Sequence, residues 1–208
     1  MLYGDPDAST VLIQMVDDHD LEGIESEVAE IRRLTGQAFC LMAVKVGSWN
    51  RDLSPWKAPA VFGKEDFGGE AGETLTKVLE LCKDRDRNYI IGGYSLAGLF
   101  ALWAGYETDA FSAVAAASPS VWFPDFLAYM KKSRPQVRAV YLSLGDREER
   151  TRNRAMASVG SRIREAYGLL KAQGIETVLE WNEGNHFKDA DLRMAKGFAW
   201  LLNGRAIF

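Results

Sequence analysis

The sequence is poor in histidine and cysteine, with two of each among 208 residues. His19 and His186 stand far apart, which leaves little from which to build a metal centre, so none is expected. Cys40 falls in a strand-like apolar run and Cys82 in a helix-like one. Both read as small buried hydrophobes, a usage that suits a reducing, cytoplasmic compartment. No apolar run reaches the ~18 residues that mark a membrane helix, and residues 1–10 are too polar for a signal peptide. Basic charge is not in excess either. The 25 Lys and Arg stand against 29 Asp and Glu, for a net charge of −4, which argues against nucleic acid as the main partner. There is no G-x-G-x-x-G, and no lysine closes a glycine-rich loop, so no phosphate-bearing or dinucleotide cofactor is expected.

What is present is a regular alternation. Apolar runs at 10–16, 38–46, 89–91, 111–117, 138–144 and 176–181 read as strands. Helical periodicity lies between and after them, at 21–34, 70–83, 96–106, 125–133, 151–173 and 189–202. Several of the strand runs lack a period of two, as expected where helices cover both faces of a sheet. Strand, helix, strand with right-handed crossovers predicts an α/β fold, a six-stranded, doubly wound parallel sheet in one domain spanning 1–208. The irregular stretch 47–69 holds Trp49, Trp56, Phe62 and Phe67, which either line a pocket or anchor the loop to the core.

The most informative stretch is Asn88-Tyr89-Ile90-Ile91-Gly92-Gly93-Tyr94-Ser95-Leu96-Ala97-Gly98, a buried strand that turns sharply into a helix with a serine at the hinge. A serine hydroxyl is a poor nucleophile unless it is held proud of the backbone beside a base. A tight elbow does so, and it requires small residues two before and two after the serine. Gly93 and Ala97 meet that condition as G-x-S-x-A in place of the usual G-x-S-x-G. The helix N-terminus offers the amide of Leu96 to a developing oxyanion.

In open α/β sheets, sites gather at the carboxyl ends of strands. Ser95 follows the third predicted strand, an acidic cluster from Asp146 to Glu149 follows the fifth, and His186 follows the sixth. Nucleophile, acid, histidine is the chain order of an α/β-hydrolase triad. With Gly93-Tyr94-Ser95-Leu96-Ala97-Gly98, Ser118-Pro119-Ser120-Val121-Trp122, Gly145-Asp146-Arg147-Glu148 and Gly184-Asn185-His186-Phe187, the chain resembles the α/β-hydrolase esterases that include esterase D and the enterochelin (siderophore) esterases. The resemblance spans 10–202. It implies a trimmed α/β-hydrolase fold, without the two N-terminal strands common in the wider fold.

From that resemblance the expected activity is serine carboxylesterase chemistry on small-molecule esters. An acyltransferase on the same triad, or a non-catalytic binding domain that keeps the elbow, are the alternatives. Ser95 would be the nucleophile and His186 the base. Glu148, three residues after the glycine that ends its strand, is the expected acid, with Asp146 and Glu149 as rivals. The second oxyanion amide is expected from Asp18 or His19, in the loop after the first predicted strand. Trp49, Trp56 and Trp122 are candidates for the substrate pocket. Few residues separate Val121 from Arg138, so no large cap domain is expected and the pocket should be open.

Overall fold

The apolar runs become strands of one sheet in the computed structural model, which describes residues 1–205. In chain order the elements are β1 (Leu2–Gly4), β2 (Thr10–Val16), α1 (Asp18–Thr35), β3 (Cys40–Lys45), α2 (Trp49–Asp52), β4 (Lys57–Ala58), β5 (Phe67–Gly68) and α3 (Ala71–Leu79). There follow β6 (Asn88–Tyr94), α4 (Ser95–Glu107), β7 (Ala113–Ala117), α5 (Phe126–Lys132), β8 (Ala139–Gly145), α6 (Arg154–Ala157), α7 (Val159–Ala172), β9 (Glu176–Asn182) and α8 (Ala190–Trp200). The main sheet has seven strands in the order β1-β3-β2-β6-β7-β8-β9, and β4 and β5 form a separate small ribbon.

Every pairing from β3 across to β9 is parallel, and β1 joins the outer edge of β3 antiparallel. The six expected strands are all present. The seventh, β1, corrects the six-stranded expectation. It is only three residues long and sits on an edge, so it carries no periodicity to read. It is held by backbone hydrogen bonds, with the Met1 ammonium donating to the Ala43 carbonyl and the Asp5 amide to that of Phe39.

Side chains alternate across the sheet and fill two cores. Val11, Ile13, Ile91, Val114 and Leu142 face α3, α4 and α7. Leu12, Ile90, Ala115 and Tyr141 face α1 and α8, where Ile24, Ile31 and Phe198 meet them. Helix α4 is buried on all sides from Leu96 to Tyr106, as its lack of any polar face requires. Burying its Leu99, Phe100 and Leu102 stabilises the fold by roughly 1.5–3 kcal/mol each.

Helix α1 begins at a capping box in which Asp17 and Asp20 each accept the other's backbone amide, and it ends at Gly36, whose φ of 63° favours glycine. The expected helix over 151–173 divides into α6 and α7. Asn153 starts α6 by accepting the amides of Ala155 and Met156, and the chain re-aims at Ser158. Between β7 and β8 the only helix is α5, so no cap domain covers the carboxyl ends of the strands.

Candidate active site

The turn from β6 into α4 places Ser95 in the left-handed region at φ 56°, a strained position for a non-glycine residue. The neighbours explain why it is possible. A Cβ at Gly93 would lie 2.5 Å from the Ala97 carbonyl, and one at Gly98 would lie 2.9 Å from the Gly93 carbonyl oxygen. Both must be glycine, and Ala97 occupies the place where a methyl still fits. The strain raises the hydroxyl above the sheet, where it meets the other strand ends.

There, His186 Nε2 lies 3.0 Å from Ser95 Oγ, and His186 Nδ1 lies 2.7 Å from Glu148 Oε2. The histidine is delivered by the turn after β9 and the glutamate by the turn after β8. Of the three candidate acids only Glu148 reaches the imidazole. Asp146 instead accepts the amide of Gly184 at 2.8 Å, and Glu149 pairs with Arg164 on the surface of α7.

Glu148 is almost fully buried. Its Oε1 accepts from Ser118 Oγ (2.7 Å), the Gly145 amide (2.7 Å) and Arg193 Nη1 (2.9 Å). Burial works to raise its pKa, but the hydrogen bonds from His186, Ser118 and the Gly145 amide outweigh it, and the carboxyl is held below the usual range for glutamate. An ionised carboxylate on Nδ1 fixes the tautomer that leaves Nε2 free to accept from the serine.

The sequence assigns no role to Arg193, and Ser118 stands in it only as part of a motif of the resemblance. Arg193 comes from α8, is 2% exposed, and gathers the site from beneath. Its Nη1 donates to Glu148, to the Tyr94 hydroxyl (3.1 Å) and to Ser118 Oγ (3.2 Å); its Nη2 donates to the carbonyls of Glu183 (3.1 Å) and Asn185 (3.0 Å). The Tyr94 hydroxyl donates in turn to the His186 carbonyl at 2.8 Å, and burial pushes its pKa up to about 12. The available signal was a single arginine set among Leu192, Met194 and Ala195 in the apolar half of a helix. Ser118 is also in the left-handed region, at φ 44°.

The remaining expected residues fall as follows. Leu96 lies in the first turn of α4, whose amides have no intrahelical acceptor. Asp18 opens α1, and its carboxylate points outward to Lys45 (2.5 Å). The His19 side chain is exposed beside Glu22. Trp56 is a loop anchor, donating its Nε1–H to the Pro124 carbonyl and packing on Phe123, Phe126 and Tyr129. Trp49 is half-buried against the core. Trp122 is buried, edge-on to Phe62 and tilted against Phe67. It follows Ser120, whose hydroxyl is 3.5 Å from that of Ser95.

No protein-family model and no curated protein sequence matches the chain. Solved structures do. An IroE-like serine hydrolase from Shewanella oneidensis superposes at a TM-score of 0.76 with 16% identity, covering 97% of this chain and 74% of the other. The siderophore hydrolase EstA from Aspergillus nidulans superposes at 0.69 with 21% identity, over 96% and 85%. The enterobactin esterase FES from Shigella flexneri superposes at 0.62 with 15% identity, over 96% of this chain and 54% of that one. With a strained strand-to-helix elbow at the end of a central parallel strand and superposition on these structures along nearly its whole length, the chain has the α/β-hydrolase fold.

Proposed function

We propose that the protein is a serine hydrolase that cleaves small-molecule carboxylic esters through an acyl-enzyme on Ser95. The observation that carries this reading is the continuous chain of hydrogen bonds from Ser95 Oγ through His186 to Glu148, set on a strained elbow.

In this reading Ser95 Oγ attacks the ester carbonyl carbon as its proton passes to His186 Nε2. The carbonyl π electrons move onto oxygen, which the Leu96 amide and an amide at Asp18 or His19 receive. Collapse of the tetrahedral intermediate breaks the bond to the alcohol, which leaves with the proton from Nε2. Water then repeats the sequence on the acyl-enzyme and releases the acid. Glu148 stays ionised throughout and stabilises the imidazolium.

The similarity to siderophore hydrolases supports ester siderophores or comparable small esters as the substrate class. The open strand ends, with Phe187 exposed beside His186, suit bulky substrates. No described helix is long and apolar enough to cross a membrane. The free thiols of Cys40 and Cys82 fit a reducing compartment such as the cytoplasm.

The test is labelling with a fluorophosphonate probe, mapped by mass spectrometry, beside turnover of p-nitrophenyl acetate. Near-stoichiometric label on Ser95 that disappears in His186→Ala supports an activated nucleophile. Folded protein that takes no label refutes the enzyme reading.

A further inference from the structure

A cavity of about 370 Å³ opens between the first turns of α1 and α8, and Tyr94 and Phe187, the chain neighbours of Ser95 and His186, line it. His19 and Asp20 come from the first turn of α1, Phe187 and Asp189 from the turn after β9, and Tyr94 is the residue before Ser95.

Five carboxylates line this cavity, from Asp20, Glu22, Glu27, Asp189 and Asp191, and no lysine or arginine does. The nearby cations are committed elsewhere, Arg193 to Glu148, Lys45 to Asp18 and Lys188 to Glu183. At the inner end Gln14 and Glu27 are 3% and 2% exposed. They share one hydrogen bond, from Gln14 Nε2 to Glu27 Oε2 (3.2 Å), and Oε1 of each has no hydrogen-bond partner. Two buried side-chain oxygens without hydrogen-bond partners are costly unless a partner arrives.

We propose that this cavity is a cation-binding subsite that takes the ammonium group of an organic ester. The proposal rests on the ester-hydrolase reading and narrows its substrates to esters bearing an amine on a flexible arm. A primary ammonium brings three donors to acceptors that lack them and a positive charge to a ring of carboxylates. The exposed Phe187 ring at the cavity wall adds a face for the cation. Among the described residues no three His, Cys, Asp or Glu side chains are gathered as a metal site would need.

Burial pushes the Glu27 carboxyl up to about 8 and that of Asp20 to about 6. The groups facing Glu27 are Gln14 on β2, Asp20 on α1 and Asp191 on α8. A bound ammonium stabilises the ionised carboxylates, so preference for the cationic ester rises between about pH 6 and about pH 8.

The experiment compares kcat/KM for 6-aminohexyl acetate and its neutral isostere heptyl acetate. The expected ratio favours the amine by about tenfold and falls toward one in Glu27→Gln and in Asp191→Asn. Asp191 lies at the half-exposed start of α8, which keeps the test open if Glu27→Gln fails to fold. A wild-type ratio of one, or a ratio unchanged in the folded variants, overturns the subsite. Fluorophosphonate labelling of Ser95 separates the two claims. If it fails, titration of the full chain with butylammonium chloride against potassium chloride still tests the cavity. A saturable shift of the Gln14 side-chain amide resonances supports it, and their constancy overturns it.

Discussion

Arg193 Nη1 lies 2.9 Å from Glu148 Oε1, and both side chains are at least 96% removed from solvent. The pair joins α8 to the turn after β8 directly beneath the imidazole. Removing one partner of a buried pair leaves the other charge without its counter-ion and typically costs about 3–5 kcal/mol. Glu148 keeps three other donors, so Arg193→Met is expected at the lower end, about 3 kcal/mol. Urea unfolding of the variant measures it. The double variant Arg193→Met with Glu148→Gln should recover part of the loss, because no buried charge is then left unpaired.

Glu148→Gln keeps the shape of the acid but lets an amide meet Nδ1, which allows the wrong imidazole tautomer. By analogy with acid-to-amide changes in other triads, kcat is expected to fall on the order of 10³–10⁴-fold with KM little changed. The pH dependence has a definite sign. The folded-state pKa of Glu148 lies below its ordinary value, so its contribution to stability is present above the unfolded-state value. That contribution is lost as pH falls through the depressed one. Melting temperatures of the variant and the parent should therefore converge only under acid conditions; a gap that instead closes near neutrality counts against the assignment.

The elbow and the parallel sheet were legible because each rests on local pattern. Gly93 and Ala97 announce the turn, and apolar runs without alternation announce buried strands. What escaped was set by packing. β1 exists because Leu2, Tyr3 and Gly4 find the free edge of β3, and no local periodicity encodes an edge. The choice of Glu148 over Asp146 and Glu149 depended on where each turn residue points, which spacing could suggest but not decide. Trp56 is anchored by a carbonyl 68 residues away, that of Pro124, so its place against α5 was not readable from its own loop. Arg193 was legible in principle, as a lone cation in an apolar stripe, but its partners lie on four other segments.

Gly93→Ala should abolish fluorophosphonate labelling, because its methyl would lie 2.5 Å from the backbone carbonyl of Ala97 and neither backbone can give way without moving Ser95. The overpacking itself costs about 1–3 kcal/mol. Ala97→Gly is the control. It relieves the elbow and loses about 1 kcal/mol of helix propensity, so labelling is expected to persist with a lower melting temperature. Retained labelling in Gly93→Ala would mean that the strained turn is not what presents the serine.

Glu27 makes the reverse kind of prediction, a substitution that stabilises. Burial on α1 raises its pKa from the model-compound value of 4.5 to about 8. Between those values the folded chain holds a proton that the unfolded chain has released, so stability falls as pH rises through that window. Above about pH 8 the folded chain must bury the charge, opposed by desolvation and by the nearby Asp20 and Asp191 carboxylates, with one hydrogen bond from Gln14 to offset it. Glu27→Gln replaces the buried acid by a neutral group of the same shape. Its melting temperature should lie close to the parent's near pH 4.5 and above it at pH 8.5, where the stability difference reaches on the order of a few kcal/mol. Parallel melting curves for parent and variant across that range would show that Glu27 does not keep its proton on folding.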